Sequence, residues 1–199
     1  MITNENSFQL LPESFYKQPT LTLAKQLIGK ILVHETEEGL SSGVIVETEA
    51  YLGALDRAAH SYGYRRTKRT EIMYHQAGLI YTYQMHTHCL LNIVSGEVGE
   101  PEAVLIRAIE PYSGVDLMMQ KRPVKNIQNL TSGPGKLTKA LGITMQMYGK
   151  PIYKQPLYIT EGARIDEIMT GLRIGISNTE EARDYPYRFW MAGNSYVSR

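Results

Sequence analysis

Residues 44–60 read Val-Ile-Val-Glu-Thr-Glu-Ala-Tyr-Leu-Gly-Ala-Leu-Asp-Arg-Ala-Ala-His, and a β-strand over Val44–Tyr51 is the reading that constrains the chain most. Side chains alternate faces along a strand, so Glu47, Glu49 and Tyr51 fall on one side and Val44, Val46, Thr48 and Ala50 on the other. The second face can enter a core. The first cannot do so alone, because burying an unpaired carboxylate is costly, and its glutamates must meet partners, solvent or substrate. The pattern asks for a sheet with one packed face and one face that carries a site.

A chain of 199 residues can bury a core of its own without disulfide support. We read it as one domain of mixed α/β composition over residues 1–199, with no repeat and no linker that would divide it. The single Cys89 cannot form an intrachain disulfide and, with no apolar leader segment, favours a reducing, cytoplasmic setting, nucleoid-associated in a bacterial host. No stretch approaches transmembrane length, so no membrane partner is expected. A formal net charge of +1 excludes a uniformly basic nucleic-acid binder, and attraction to phosphate must come from local clusters such as Arg65, Arg66, Lys68 and Arg69.

Spacing and turn chemistry predict a helix over Leu21–Leu27, capped by Thr20 or Thr22 and ended by Gly29. A short strand Ile31–His34 then joins the glutamate strand through a turn at Glu38–Gly43. Further strands are expected at Leu79–Gln84, Leu90–Val94 and Ala103–Ile109, and helices at Asp116–Gln120 and Gly135–Leu141. The last helix has Ser132 as its expected cap and Gly142 as its stop. Two more strands are expected at Arg173–Ser177 and Arg188–Met191.

The run Val-Glu-Thr-Glu-Ala-Tyr-Leu-Gly at 46–53, followed by Asp56 and Ala58-Ala59-His60-Ser61, resembles the alkyladenine (3-methyladenine) DNA glycosylase family of base excision repair. Other blocks agree in order: Gly78–Tyr83, Asn92-Ile93, Val104–Pro111, Ser132–Leu137, Arg173–Ile176, Pro186–Trp190 and Ser195–Ser198. The likeness covers nearly the whole chain, which no single short motif would do. It implies a curved antiparallel sheet surrounded by helices, unlike the helix-hairpin-helix glycosylases. It also implies a monofunctional enzyme, without cofactor, that acts on double-stranded DNA containing damaged purines; a monomer is the default expectation, since one-to-one engagement of a lesion needs no second subunit, with a dimer left open. Such an enzyme flips 3-methyladenine, 7-methylguanine, hypoxanthine or ethenoadenine out of the duplex and hydrolyses the glycosidic bond, leaving an abasic site.

Carried over by position, Glu49 is the general base that activates water, Arg107 helps to hold Glu49 and that water by its charge, and the backbone carbonyl of Ile174 is a third contact to the water. Tyr51 and Tyr83 would stack on the base, His60 would form another wall, and Asn92 would crowd the purine 2-amino position. Alternation places Glu47 on the same face as Glu49, and only the resemblance assigns catalysis to the second glutamate and leaves Glu47 a structural acceptor. Arg65, Arg66, Lys68, Arg69 and Lys136, the last in a Ser-Gly-Pro-Gly-Lys helix opening, would contact DNA phosphates. For each of these a solvated surface charge is the plainer alternative.

One stretch departs from the family, whose members carry a tyrosine between the paired tyrosines and the asparagine that wedges into the gap left by the flipped nucleotide. Here the chain reads Gln84-Met85-His86-Thr87-His88-Cys89, one residue shorter and without tyrosine, which leaves Met85 or His86 for that task. The histidines and cysteine of this stretch lack the paired spacing of a zinc site. Two other functions fit part of the pattern. A non-catalytic binder of flipped nucleotides would use the aromatic pocket without turnover, and a glycoside hydrolase would use the two carboxylates but leave the basic cluster idle.

Overall fold

The structure, a computed structural model, describes residues 9–198. Two short helices, α1 (Glu13–Tyr16) and α2 (Thr20–Gln26), precede the hairpin of β1 (Ile31–Thr36) and β2 (Gly39–Tyr51). Then come β3 (Ile80–Met85), β4 (His88–Ser95), β5 (Glu102–Ser113), α3 (Val115–Lys121) and α4 (Pro134–Leu141). The remaining strands are β6 (Tyr153–Lys154), β7 (Leu157–Thr160), β8 (Ile168–Gly171) and β9 (Arg188–Met191). All pair antiparallel in one curled sheet of order β3-β4-β5-β2-β1-β7-β6, with β9 on β2 and β8 on β9. The mixed α/β class with a curved antiparallel sheet and surrounding helices is therefore as expected. No helix among the described residues is long and apolar enough to cross a membrane.

β2 is the hub. Its first half pairs with β1 from Gly39 to Val44, its second half pairs with β9 from Glu47 to Glu49, and β5 runs along its other edge. The strand starts five residues before the expected Val44, and the turn shrinks to Glu37-Glu38, because ladder bonds to β1 outweigh the weak strand propensity of Gly39, Ser41 and Ser42. Gly39 takes φ +130°, a conformation open to glycine.

Simple alternation also fails in one place. The register runs Ile45↔Ile109, Glu47↔Ala108, Thr48↔Ile106, so that Val46 on β2 and Arg107 on β5 have no partner across the ladder. Such a bulge shifts the phase of a strand by one residue. Ile45 thus joins the main core cluster with Ala50, where strict alternation would have put Val44 and Val46; Val46 is also fully buried, but outside that cluster. From Glu47 onward the expected phase holds, and Thr48 turns towards α2, donating to the carbonyl of Ala24 at 2.8 Å.

The main core lies between the sheet and the helices, with Leu23 and Leu27 from the α2 segment and Leu137, Ala140 and Leu141 of α4 against Ile80, Leu91, Ile93, Val104 and Ile106. The expected caps do not form. Pro19 and Gly133 stand at the cap positions of α2 and α4 with no side-chain cap bond, and Pro134 occupies the first turn of α4, where a missing N–H costs nothing. Gly142 does end α4, in the left-handed conformation at φ +70°. The strand expected over Arg173–Ser177 is absent: β8 ends at Gly171 and the residues after it form a loop. Its backbone bends at Gly175, φ +81°, and its bonds go to side chains of the site described next.

Candidate active site

The end of β2 and strands β3, β4 and β5 supply one wall of a cavity of about 270 Å³, through Tyr51, Tyr81, Tyr83, Met85, Leu90, Asn92, Leu105 and Arg107. The opposite wall is loop: Ala58 and His60 from the segment after β2, and Ile174 to Thr179 after β8. Pro134, at the start of α4, closes one side. The volume is near the lower end of small-ligand sites, which run from about 300 to 1,000 Å³.

Glu49 is fully buried behind this surface. One carboxylate oxygen accepts from the backbone N–H of Ile174 at 2.7 Å and lies 3.3 Å from Nη1 of Arg107; the other accepts from the Tyr51 hydroxyl at 2.8 Å. All three of these neighbours line the cavity. A carboxylate offers about four acceptor positions, so one direction remains for a further donor. Burial first, and then the Glu49 charge beside it, hold the Tyr51 hydroxyl well above the usual phenol range, which keeps it a donor. The Ile174 contact made here is through its amide.

Glu47, two residues earlier and equally buried, has different company. It accepts from Nε of Arg188 at 2.6 Å, from the Ser198 N–H at 2.7 Å and from the Ser198 hydroxyl at 2.9 Å, and lies 3.3 Å from Nε of Arg107. Arg107, at the bulge of β5, thus bridges the two carboxylates.

The loop wall hangs on a second buried ion pair. Arg173 bonds both oxygens of Asp56, at 2.5 and 2.8 Å, and donates to the carbonyls of Ala50 and Ala182. Asp56 in turn accepts from the N–H groups of Leu52 and Ala58. The Arg173 guanidinium lies 4.7 Å from the centre of the Tyr51 ring and 5.3 Å from that of Tyr187. One side chain therefore links the end of β2, the turn after it and the residue before Ile174. Asp56 and Arg173 stand in the motifs of the sequence, but nothing in their spacing discloses that they meet.

Three rings pack at the cavity. Tyr81 and Tyr83 stack at 5.5 Å and 29°, and His60 stands edge-on to Tyr83 at 4.5 Å. Nδ1 of His60 is 2.7 Å from the Tyr81 hydroxyl. Burial first, with the Arg69 and Arg65 charges, pushes His60 down to about 4, so the ring is neutral near pH 7. Burial and the Glu49 charge push Tyr83 up to about 12. Tyr81 is a site residue that sequence reasoning missed, although period-2 alternation places it beside Tyr83. Asn92 donates to the Tyr81 carbonyl at 3.1 Å, which fixes its amide at the cavity wall.

Met85 is half-exposed at the mouth, and His86 begins the two-residue turn between β3 and β4 at φ +53°. Arg65, Arg66, Lys68 and Arg69 are all exposed. Arg66 is committed to Glu71 by two bonds of 2.9 and 2.6 Å, whereas Arg69 lies 5.9 Å from the Tyr83 ring centre. Lys136 is partly buried, its Nζ 3.4 Å from the Ser132 hydroxyl. Among the described residues no group of three or more His, Cys, Asp or Glu side chains is placed to hold a metal.

The profile of the family described as methylpurine-DNA glycosylase matches residues 14–195 of this chain. A protein of Oceanobacillus iheyensis, named as a candidate 3-methyladenine DNA glycosylase, is 62% identical over 195 residues, which is 98% of each chain. One of Bacillus subtilis with the same name is 61% identical over 189 residues, 95% of this chain and 96% of its own. A Listeria monocytogenes protein of that name is 49% identical over 187 residues, covering 94% and 90%.

Proposed function

Because this chain belongs to the methylpurine-DNA glycosylase family, we propose that it is a DNA repair glycosylase that hydrolyses the bond between a damaged purine and its deoxyribose. The observation that carries the reading is the placement of Glu49, a buried carboxylate held by Tyr51, Arg107 and Ile174 directly behind an aromatic-walled cavity.

A base stacked in a duplex is out of reach, so the nucleotide turns out of the helix into the cavity. Tyr51 and Tyr83 offer ring faces to the base, and His60 meets it from the side. Cationic bases such as 3-methyladenine and 7-methylguanine gain about 0.5–2 kcal/mol against electron-rich rings, a gain that neutral hypoxanthine and ethenoadenine lack. Asn92 crowds the position of a guanine 2-amino group. Glu49 uses its remaining acceptor direction to hold a water. As the C1′–N bond breaks and the base leaves with the electron pair, the water oxygen bonds to C1′ and its proton passes to Glu49. The carboxylate charge stabilises the oxocarbenium-like transition state, and Arg107 keeps that carboxylate aimed. The Ile174 carbonyl is a third contact for the water.

Met85, at the cavity mouth, fills the vacated stack as an apolar wedge, with His86 beside it at the turn. Arg65, Lys68, Arg69 and Lys136 contact phosphates, and Arg66 does so on release from Glu71. Among the described residues no lysine lines the cavity to attack C1′, and in this reading the abasic strand is left uncut. One monomer serves one lesion.

The test is release of free base from duplexes bearing one hypoxanthine or ethenoadenine, and from methylated DNA. Wild type should release base and leave the strand intact. Glu49→Gln should lower the rate by about 10²–10⁴-fold and keep lesion affinity, whereas Glu47→Gln should lower the melting temperature more than the rate. Equal residual activity in the two variants would sink the assignment of Glu49. Tight lesion binding by wild type without any release would make the protein a binder of flipped nucleotides.

A further inference from the structure

Arg107 is the only charged side chain within ion-pair distance of Glu49 among the described residues, and its aim needs explaining. Arginine has long rotatable stems, and a second carboxylate, Glu47, lies as close to its Nε as Glu49 lies to its Nη1, 3.3 Å in both cases. With no further restraint the guanidinium would share itself between two equal attractors. The restraint is at Ser198. Its hydroxyl accepts from Nε of Arg107 at 3.2 Å and donates to Oε1 of Glu47 at 2.9 Å. The same residue donates its N–H to the other Glu47 oxygen at 2.7 Å and accepts from Arg188 through its carbonyl at 2.9 Å. Oε1 of Glu47, the oxygen that faces Arg107, is thereby already engaged by two other donors, Nε of Arg188 and the Ser198 hydroxyl.

We propose that Ser198 is a positioning residue for base excision: its hydroxyl, set between Glu47 and Arg107, keeps the guanidinium turned towards Glu49. The inference rests on the glycosylase reading above. Ser198 is itself held in place. Asn194 turns the segment after β9 back on the sheet, its side chain accepting from the Tyr196 N–H at 2.9 Å and donating to Glu110 at 2.7 Å, and Ser198 is buried. It lies beyond the 14–195 segment that the family profile matches.

Ser198→Ala is the informative change, because it removes the hydroxyl and keeps the backbone bonds to Glu47 and Arg188. The single-turnover rate of base release, at saturating enzyme, should fall on the order of 10- to 100-fold. Affinity for lesion DNA should stay at the wild-type value, and the melting temperature should fall only by what one lost buried hydroxyl explains, leaving the protein folded at the assay temperature. Ser198→Thr, which retains the hydroxyl, should restore the rate. In an Arg107→Ala background the further change Ser198→Ala should cost nothing, since residues acting through one another are not additive. A wild-type rate in Ser198→Ala would overturn the proposal. So would a loss that adds in full to that of Arg107→Ala, or one that follows the melting temperature. Wild-type release, run alongside, separates the two levels: without it the glycosylase reading fails, and with it only the role of Ser198 is at stake.

Discussion

On the strand side of the cavity, Tyr81, Tyr83, Asn92, Leu105 and Arg107 stand on three neighbouring strands: β3 and β4 pair over Ile80–Met85 and His88–Ile93, and β4 and β5 over Asn92–Ser95 and Glu102–Leu105. On the loop side, Ile174–Thr179 has no ladder, and its first residue is placed by the Arg173–Asp56 pair and by its own amide on Glu49. The strand wall spreads its support over many backbone bonds; the loop wall concentrates it in one buried charge pair. A change on the strand wall should therefore alter only the group it removes. A change at Asp56 should move the wall.

The largest effect follows. Asp56→Asn leaves Arg173 charged and buried with its main partner gone, and breaking a buried pair in this way costs about 3–5 kcal/mol. Chemical denaturation should show a loss of that size. Tyr83→Phe, which removes a hydroxyl that no described residue bonds while keeping the ring, should leave stability nearly unchanged. If the two variants lose stability equally, the contrast between the walls is wrong.

The same contrast decides what the sequence discloses. Glu47, Glu49 and Tyr51, or Tyr81 and Tyr83, share a face because a strand has a fixed period, and that can be counted on paper. The bulge cannot. It depends on which residues of β5 lie across from β2, so neither the shift that buries Ile45 nor the place of Arg107 on that bulge is local information. Arg173-Ile174-Gly175-Ile176 reads as a strand by composition, yet Arg173 gains more from Asp56 and the Ile174 amide more from Glu49 than either would from a ladder. Asp56 and Ser198 are ordinary turn and tail residues until the fold brings Asp56 to Arg173, 117 residues further on, and Ser198 to Glu47, 151 residues back. The resemblance to a family named candidate site residues, but the contacts that hold those residues in the structure are long-range.

His60 joins the two walls, a loop residue bonded to Tyr81 on the strand side, and it gives the next effect. In the unfolded chain a histidine takes up a proton near pH 6.5, whereas in the fold burial and the neighbouring arginines delay this to about 4. Between those values the unfolded state binds more protons, so stability falls as pH falls through that window and is recovered above it. Urea unfolding from pH 7 down to 4 should show this loss in wild type, and His60→Gln should flatten that part of the curve. An unchanged pH slope in the variant would mean that His60 is as free to protonate in the fold as in the open chain.

The smallest effects belong to the exposed cations on the loop side. Arg65, Lys68 and Arg69 have no ion pair among the described residues, while Arg66 is held by both oxygens of Glu71 and lies 4.6 Å from the Tyr74 ring centre. A cation that contacts phosphate releases counterions from DNA, about 0.9 per contact in the slope of log affinity against log salt. Arg65→Ala and Lys68→Ala should each lower that slope by close to one contact. Arg66→Ala should lower it less, because to reach a phosphate the side chain must first give up Glu71, and the carboxylate left behind would repel the backbone. Glu71→Gln provides the converse. By freeing Arg66 and removing a negative charge it should raise the slope and tighten binding to any duplex, damaged or not, without changing the rate of base release. If Arg66→Ala matches Lys68→Ala, the pair opens on DNA at no cost, and its bonds in the free protein have no bearing on the interface.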